Sequence, residues 1–96
     1  MVEDNLGNPP KQNNKYKAKL FKNRGYYNFR QEDYENSILN YKKAVEIDPN
    51  YIDAWCDLGL VYFTIGNIEE ANKCLDKLDS LKGNTKRKHS KITMRW

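Results

Sequence analysis

Apolar residues along this chain recur at three- and four-residue spacings, in four blocks separated by polar or glycine-containing breaks. That spacing belongs to helices with one buried face. The first block predicts a helix from near Lys15 to about Arg30, with Leu20, Phe21, Arg24, Gly25, Asn28 and Phe29 on one stripe. Glu32 and Asp33 form the turn, and Asp33 is placed to cap a second helix. That helix carries Tyr34, Ile38, Tyr41, Ala44, Val45 and Ile47 until Asp48-Pro49 stops it, because proline cannot continue a helix and holds the preceding residue extended. In the third block Asp53 leads into Trp55, Leu58, Gly59, Tyr62 and Phe63, and Gly66 suits a left-handed helix end. Asn67 caps the fourth, with Glu69 and Glu70 in its first turn, where acidic charge favours the helix dipole. Ala71, Leu75, Leu78 and Leu81 form its expected buried face, and Gly83 ends it. No β pattern emerges, so the predicted fold class is all-α.

The blocks repeat. At an offset of 34 residues Gly25 meets Gly59, Phe29 meets Phe63, Asp33 meets Asn67, Glu35 meets Glu69 and Ser37 meets Ala71. A period held through both helical and turn positions is the mark of stacked helix–turn–helix units. The expected organisation is a disordered leader over 1–14, two units over 15–85 (18–51 and 52–85), and a basic capping helix or tail over 86–96. The leader is expected to be disordered because Gly7, Pro9, Pro10 and its run of amides leave little to bury.

Composition narrows the picture further. The chain is 39% apolar and 31% charged, which suits a small helical domain, and no apolar run is long enough to span a bilayer. The N-terminus lacks the basic-then-apolar layout of a secretory signal. Cys56 and Cys74 form no CxxC and have no histidine nearby, so reduced thiols in a cytoplasmic protein are expected ahead of a disulfide or metal site. The net charge of +4 is uneven, at +1 over 1–17, +1 over 18–51, −3 over 52–85 and +5 over 86–96. The basic excess is therefore read into the last residues, and the repeats themselves are not read as a basic platform.

Catalytic chemistry finds no constellation. His89 is the single histidine and lies in the basic tail, and Cys56 has no candidate base. The acidic pairs sit at helix starts, where capping explains them. No glycine-rich phosphate loop or metal-ligand spacing appears. The expectation is a non-enzymatic chain without cofactor or metal.

Trp55-Cys56-Asp57-Leu58-Gly59-Leu60-Val61-Tyr62, followed by Ala71, resembles the tetratricopeptide repeat. The first unit resembles it through Phe21 in the Trp position, Gly25, Tyr41, Ala44 and Asp48-Pro49-Asn50. There are departures: Arg24 stands where the pattern has Leu, Asn28 where it has Tyr, Leu78 replaces a small residue and Gly83 replaces the proline. The resemblance implies antiparallel helix pairs stacked as a short right-handed superhelix, with a concave groove made by the first helix of each pair. The groove positions it implies are Lys19, Lys22, Tyr26, Phe29 and Arg30 in the first unit, and Cys56, Leu60 and Phe63, with Asp53 and Thr64, in the second. Such a groove suits an acidic–hydrophobic peptide or helix of another protein. Phe29 and Phe63 could instead pack between the units. The carboxylate clamp of chaperone-binding relatives is not expected, because Tyr26 and Asp57 stand where its asparagines would be.

Two other roles stay open. The chain could self-associate as a structural unit through a helix face after Leu78–Leu81. The basic tail (Lys86, Arg87, Lys88, His89, Lys91 and Arg95) could contact nucleic acid or an anionic surface, though nucleic acid is the less favoured partner because no stacking surface accompanies the charge.

Overall fold

The computed structural model describes residues 10–83, with side chains from Asn14 onward. The expected basic tail lies outside the described residues, as does most of the expected leader. The described residues form four helices: α1 (Pro10–Arg30), α2 (Tyr34–Ile47), α3 (Ile52–Thr64) and α4 (Ile68–Lys82). α1 begins at Pro10, ahead of the Lys15 start that the pattern predicts. Proline suits a first helical position because its missing N–H would have no intrahelical partner there and its φ is already helical.

The two helix–turn–helix units are built alike down to their turns. Glu32 donates its backbone N–H to Phe29 and Asp33 to Asn28, and 34 residues on Gly66 donates to Phe63 and Asn67 to Tyr62. Glu32 and Gly66 are both left-handed, with φ of 62° and 84°. The caps match as well. Asp33 Oδ1 accepts from the Asn36 N–H at 3.4 Å, and Asn67 Oδ1 accepts from the Glu70 N–H at 3.3 Å. Asn36 also donates its side-chain amide to Asp33 Oδ2 at 2.8 Å, the reverse of a capping box, since the Asp33 N–H already donates to Asn28.

α1 packs on α2, α3 on α4, and α2 on α3, with α1 also touching α3. Each unit is therefore an antiparallel pair, and the second helix of one unit leads into the first of the next. The core consists of Tyr41, Ala44, Val45, Ala54, Leu58, Val61, Tyr62, Ala71 and Cys74, flanked by Phe21, Phe29, Tyr34, Ile38, Tyr51 and Trp55. Close approach of the helices depends on small residues at the crossings. A Cβ on Gly25 would lie 2.9–3.0 Å from the Tyr41 ring, and one on Gly59 would lie 3.2 Å from Cys74 Cβ.

Three faces differ from expectation. On α1, Ala18 and Gly25 are buried while Leu20 and Arg24 are exposed. The buried stripe is rotated away from Leu20 because α2 and α3 lie on one side of α1. On α3, Ala54 and Val61 join Leu58 in the core, held under α2. On α4, Cys74 is buried beside Ala71 and Leu78, whereas Leu75 and Leu81 are only half-buried. Cys74 takes the inward position because Gly59 opens space for it.

Candidate binding surface

The first helices of the two units, α1 and α3, carry the residues expected to bind. Lys19, Tyr26 and Arg30 are exposed on α1, and Lys22 is half-buried on the side turned to α3. On α3, Cys56, Leu60 and Phe63 are exposed. Tyr26, Leu60 and Phe63 show 49%, 51% and 47% of their surface, a large apolar exposure on two adjacent helices. Phe29 differs from these. It is half-buried, packs against the core, and sets its ring 5.7 Å from that of Tyr34 at 57°, which makes it part of the floor.

Two side chains on α1 hold one another in place. Arg30 donates to the Tyr26 hydroxyl at 3.0 Å, and its guanidinium carbon lies 5.7 Å from the Tyr26 ring centre. This pairing fixes the phenol and directs charge along the same helix face.

Charge is arranged across the surface as well as along it. The Asp57 carboxyl is half-buried on α3, and its pKa is raised, first by burial and then by Asp53, against the lowering pull of Lys22 and of a hydrogen bond with Tyr41. Tyr41 is fully buried, and its hydroxyl is pushed well above the ordinary phenol range, first by burial and then by Asp57. Lys22, Asp57, Tyr41 and Tyr26 thus share one neighbourhood between α1 and α3. The α1 side of the surface is cationic and the α3 side anionic. Sequence reasoning noted Asp57 only as an obstacle to a carboxylate, and missed that it bridges Lys22 and a buried tyrosine.

Away from these residues, a recess of about 430 Å³ lies between α2, α3 and α4, with Val45, Leu58, Tyr62 and Cys74 at its base and Trp55 and Lys77 on its rim. Burial pushes the Cys74 thiol up to about 11, with Glu70 adding to the shift. Both cysteines are free, Cys56 exposed and Cys74 buried. Among the described residues no helix is long and apolar enough to cross a membrane.

Paired helices, repeated turns and small-residue crossings define a helical-repeat protein of the kind that stacks units to present an extended surface. Residues 25–66 match a TPR repeat and residues 52–85 a tetratricopeptide repeat. The chain belongs to the tetratricopeptide repeat family, whose repeats generally mediate protein–protein interaction. It is similar to Superkiller protein 3 of Saccharomyces cerevisiae, at 31% identity over 58 residues, which cover 60% of this chain and 4% of the yeast protein. It is also similar to the uncharacterized protein MJ0572 of Methanocaldococcus jannaschii, at 33% identity over 58 residues, covering 60% of this chain and 67% of the archaeal protein. The chain thus spans only a small fraction of the yeast relative.

Proposed function

We propose that this chain is a protein-interaction module whose α1–α3 face takes a short segment of another protein, extended or helical, in a concave groove. The observation that carries the reading is the half-exposure of Tyr26, Leu60 and Phe63 on two adjacent helices flanked by fixed charge. Apolar anchors of the partner lie on these three side chains, which supply most of the affinity. Acidic groups of the partner face Lys19, Lys22 and Arg30 on α1, while Asp53 and Asp57 on α3 disfavour carboxylates on the other side. Charge therefore sets the orientation of the segment more than its strength of binding. Two free thiols, one of them exposed, suit the reducing cytoplasm.

The test is selection of binding peptides from a random display library, followed by amide-shift mapping of a selected peptide on the full chain. The expected result is perturbation centred on Lys22, Tyr26, Leu60 and Phe63, with binding weakened about tenfold or more by Lys22→Ala combined with Tyr26→Ala while the melting temperature holds. Shifts confined to other helix faces, or unchanged affinity in the double variant, would refute the groove.

A further inference from the structure

The 34-residue repeat marks a second surface, on the side of α1 turned away from α3. In the second unit Ala54, Leu58 and Val61 are 0%, 3% and 1% exposed, in the unit whose first helix, α3, packs against α2. Their counterparts in the first unit are Leu20, Arg24 and Tyr27. Leu20 and Tyr27 are 42% and 64% exposed, and Tyr16, one turn before Leu20, is 66% exposed. Among the described residues, none takes on α1 the position that α2 occupies on α3. A shallow concavity of about 400 Å³ marks it, bounded by Leu20, Arg24 and Tyr27 and, from α2, by Asn40.

Charge selects what fits there. α1 contains seven Lys and Arg residues and no Asp or Glu. At about 100° per residue, Tyr16, Leu20 and Tyr27 form one stripe. Lys17 and Arg24 run along one flank and Lys19 and Arg30 along the other. Arg24 replaces the buried Leu58 of the second unit, and its guanidinium rests 5.2 Å from the Phe21 ring centre, at the rim of the open position. A neutral helix would have to desolvate these cations without recompense, and a basic one would be repelled. An apolar stripe between two rows of carboxylates matches the face in both respects.

We propose that the outer face of α1, through Tyr16, Leu20, Arg24 and Tyr27, docks an acidic amphipathic helix of a partner protein, in the place that α2 takes on α3. The contact runs from Tyr16 to Tyr27, about three turns or 16 Å of helix. It is distinct from the α1–α3 groove: its stripe lies about a quarter-turn around α1 from Tyr26, with Lys19 and Arg30 between the two surfaces.

The test uses the full chain and two helical peptides of about 18 residues that share a leucine stripe, one flanked by Glu and the other by Lys. The Glu-flanked peptide is expected to bind, to weaken as salt rises, and to shift the amides of Tyr16 to Tyr27. Leu20→Ser with Tyr27→Ser, and separately Arg24→Glu, should each weaken it about tenfold or more. Leu60→Ser with Phe63→Ser should leave it unchanged. Equal binding of the Lys-flanked peptide would overturn the proposal, as would loss of binding in the Leu60 and Phe63 variant. Preferential binding of phosphatidylserine vesicles through Leu20 and Tyr27 would assign the face to lipid instead. A concentration-dependent dimer broken by the same pair would assign it to a second copy of the chain. Shift mapping on the unmodified chain keeps the test valid if the double variant folds poorly.

Discussion

Ser37 donates its hydroxyl to the carbonyl oxygen of Gly25 at 2.8 Å, at the buried crossing of α1 and α2. Ser37 is fully buried, so the bond satisfies a group that would otherwise be costly to desolvate. It also draws two backbones so close that the Tyr41 ring fills the space where a Gly25 side chain would be. Replacing Gly25 with alanine gains about 1 kcal/mol in helix propensity but forces a buried ring to move, at about 1–3 kcal/mol. Gly25→Ala should therefore lose up to about 2 kcal/mol in urea denaturation. Gly59→Ala, which meets the single Cβ of Cys74 at 3.2 Å, should lose less. Equal losses at both positions would mean that the first crossing is not the tighter one.

Glu32 adopts the left-handed conformation that Gly66 adopts in the second unit. For a residue with a Cβ that conformation costs about 1–2 kcal/mol, partly offset by the greater freedom glycine loses on folding. Glu32→Gly should raise stability by about 0.5–1 kcal/mol, and Gly66→Ala should lower it by a similar amount. Thermal and urea melts of the two variants check this directly. A fall in stability for Glu32→Gly would mean that the Glu32 side chain contributes something its backbone does not reveal.

Asp57 titrates against the fold. Its folded pKa lies above the ordinary carboxyl value, first because of burial. The proton is bound more tightly in the folded chain than in the unfolded one. Its contribution is therefore full below the unfolded carboxyl pKa and is lost as pH rises through the raised folded value. Asp57→Asn should melt at a higher temperature than the parent at pH 7 and lose that advantage near pH 3. A variant less stable at pH 7 would mean that the Lys22 attraction and the Tyr41 hydrogen bond outweigh burial.

The two thiols should differ in reactivity. Thiolate is the nucleophile, and the Cys74 thiol is both buried and raised to about 11. Iodoacetamide at pH 8 should label exposed Cys56 promptly and Cys74 only when the helices open, as read by peptide mass spectrometry over time. In urea the two rates should converge. Between about pH 9 and 11 the unfolded chain loses its Cys74 proton before the folded one does, so stability should fall across that window.

The fold was legible because its signals agree at several levels. Asp33 and Asn67 cap the helices where their side chains predict, Gly66 and Gly83 are left-handed helix ends, and Pro49 follows the end of α2. Rotation was harder to read. On α1, Leu20 and Arg24 fit a helical stripe by spacing, yet which stripe is buried depends on where α2 and α3 lie, and sequence spacing does not encode that. The spacing of Cys74 from Ala71 and Leu78 points it inward, and cysteine is among the most buried residue types, so burial and not redox chemistry defines its place. Of the groove positions implied by the family resemblance, Tyr26, Leu60 and Phe63 are exposed. Phe29 is drawn into the core by Tyr34, a neighbour on the next helix. The Lys22–Asp57–Tyr41 grouping joins three helices, and no local pattern announces such a contact.

Trp55 donates its indole N–H to the Pro49 carbonyl at 2.8 Å, and Lys77 of α4 sits 5.8 Å from its ring centre. One side chain therefore reaches back to the turn that ends the first unit and forward to the last helix of the second. A short helical array is a spring, and the angle between its coils decides how wide the inner face stands. Here one indole spans the joint, beside the packing of α2 on α3, so a change in that angle is felt at Trp55. With Trp96, the other tryptophan, replaced by phenylalanine, the emission of Trp55 then serves as an intrinsic gauge of the array's pitch.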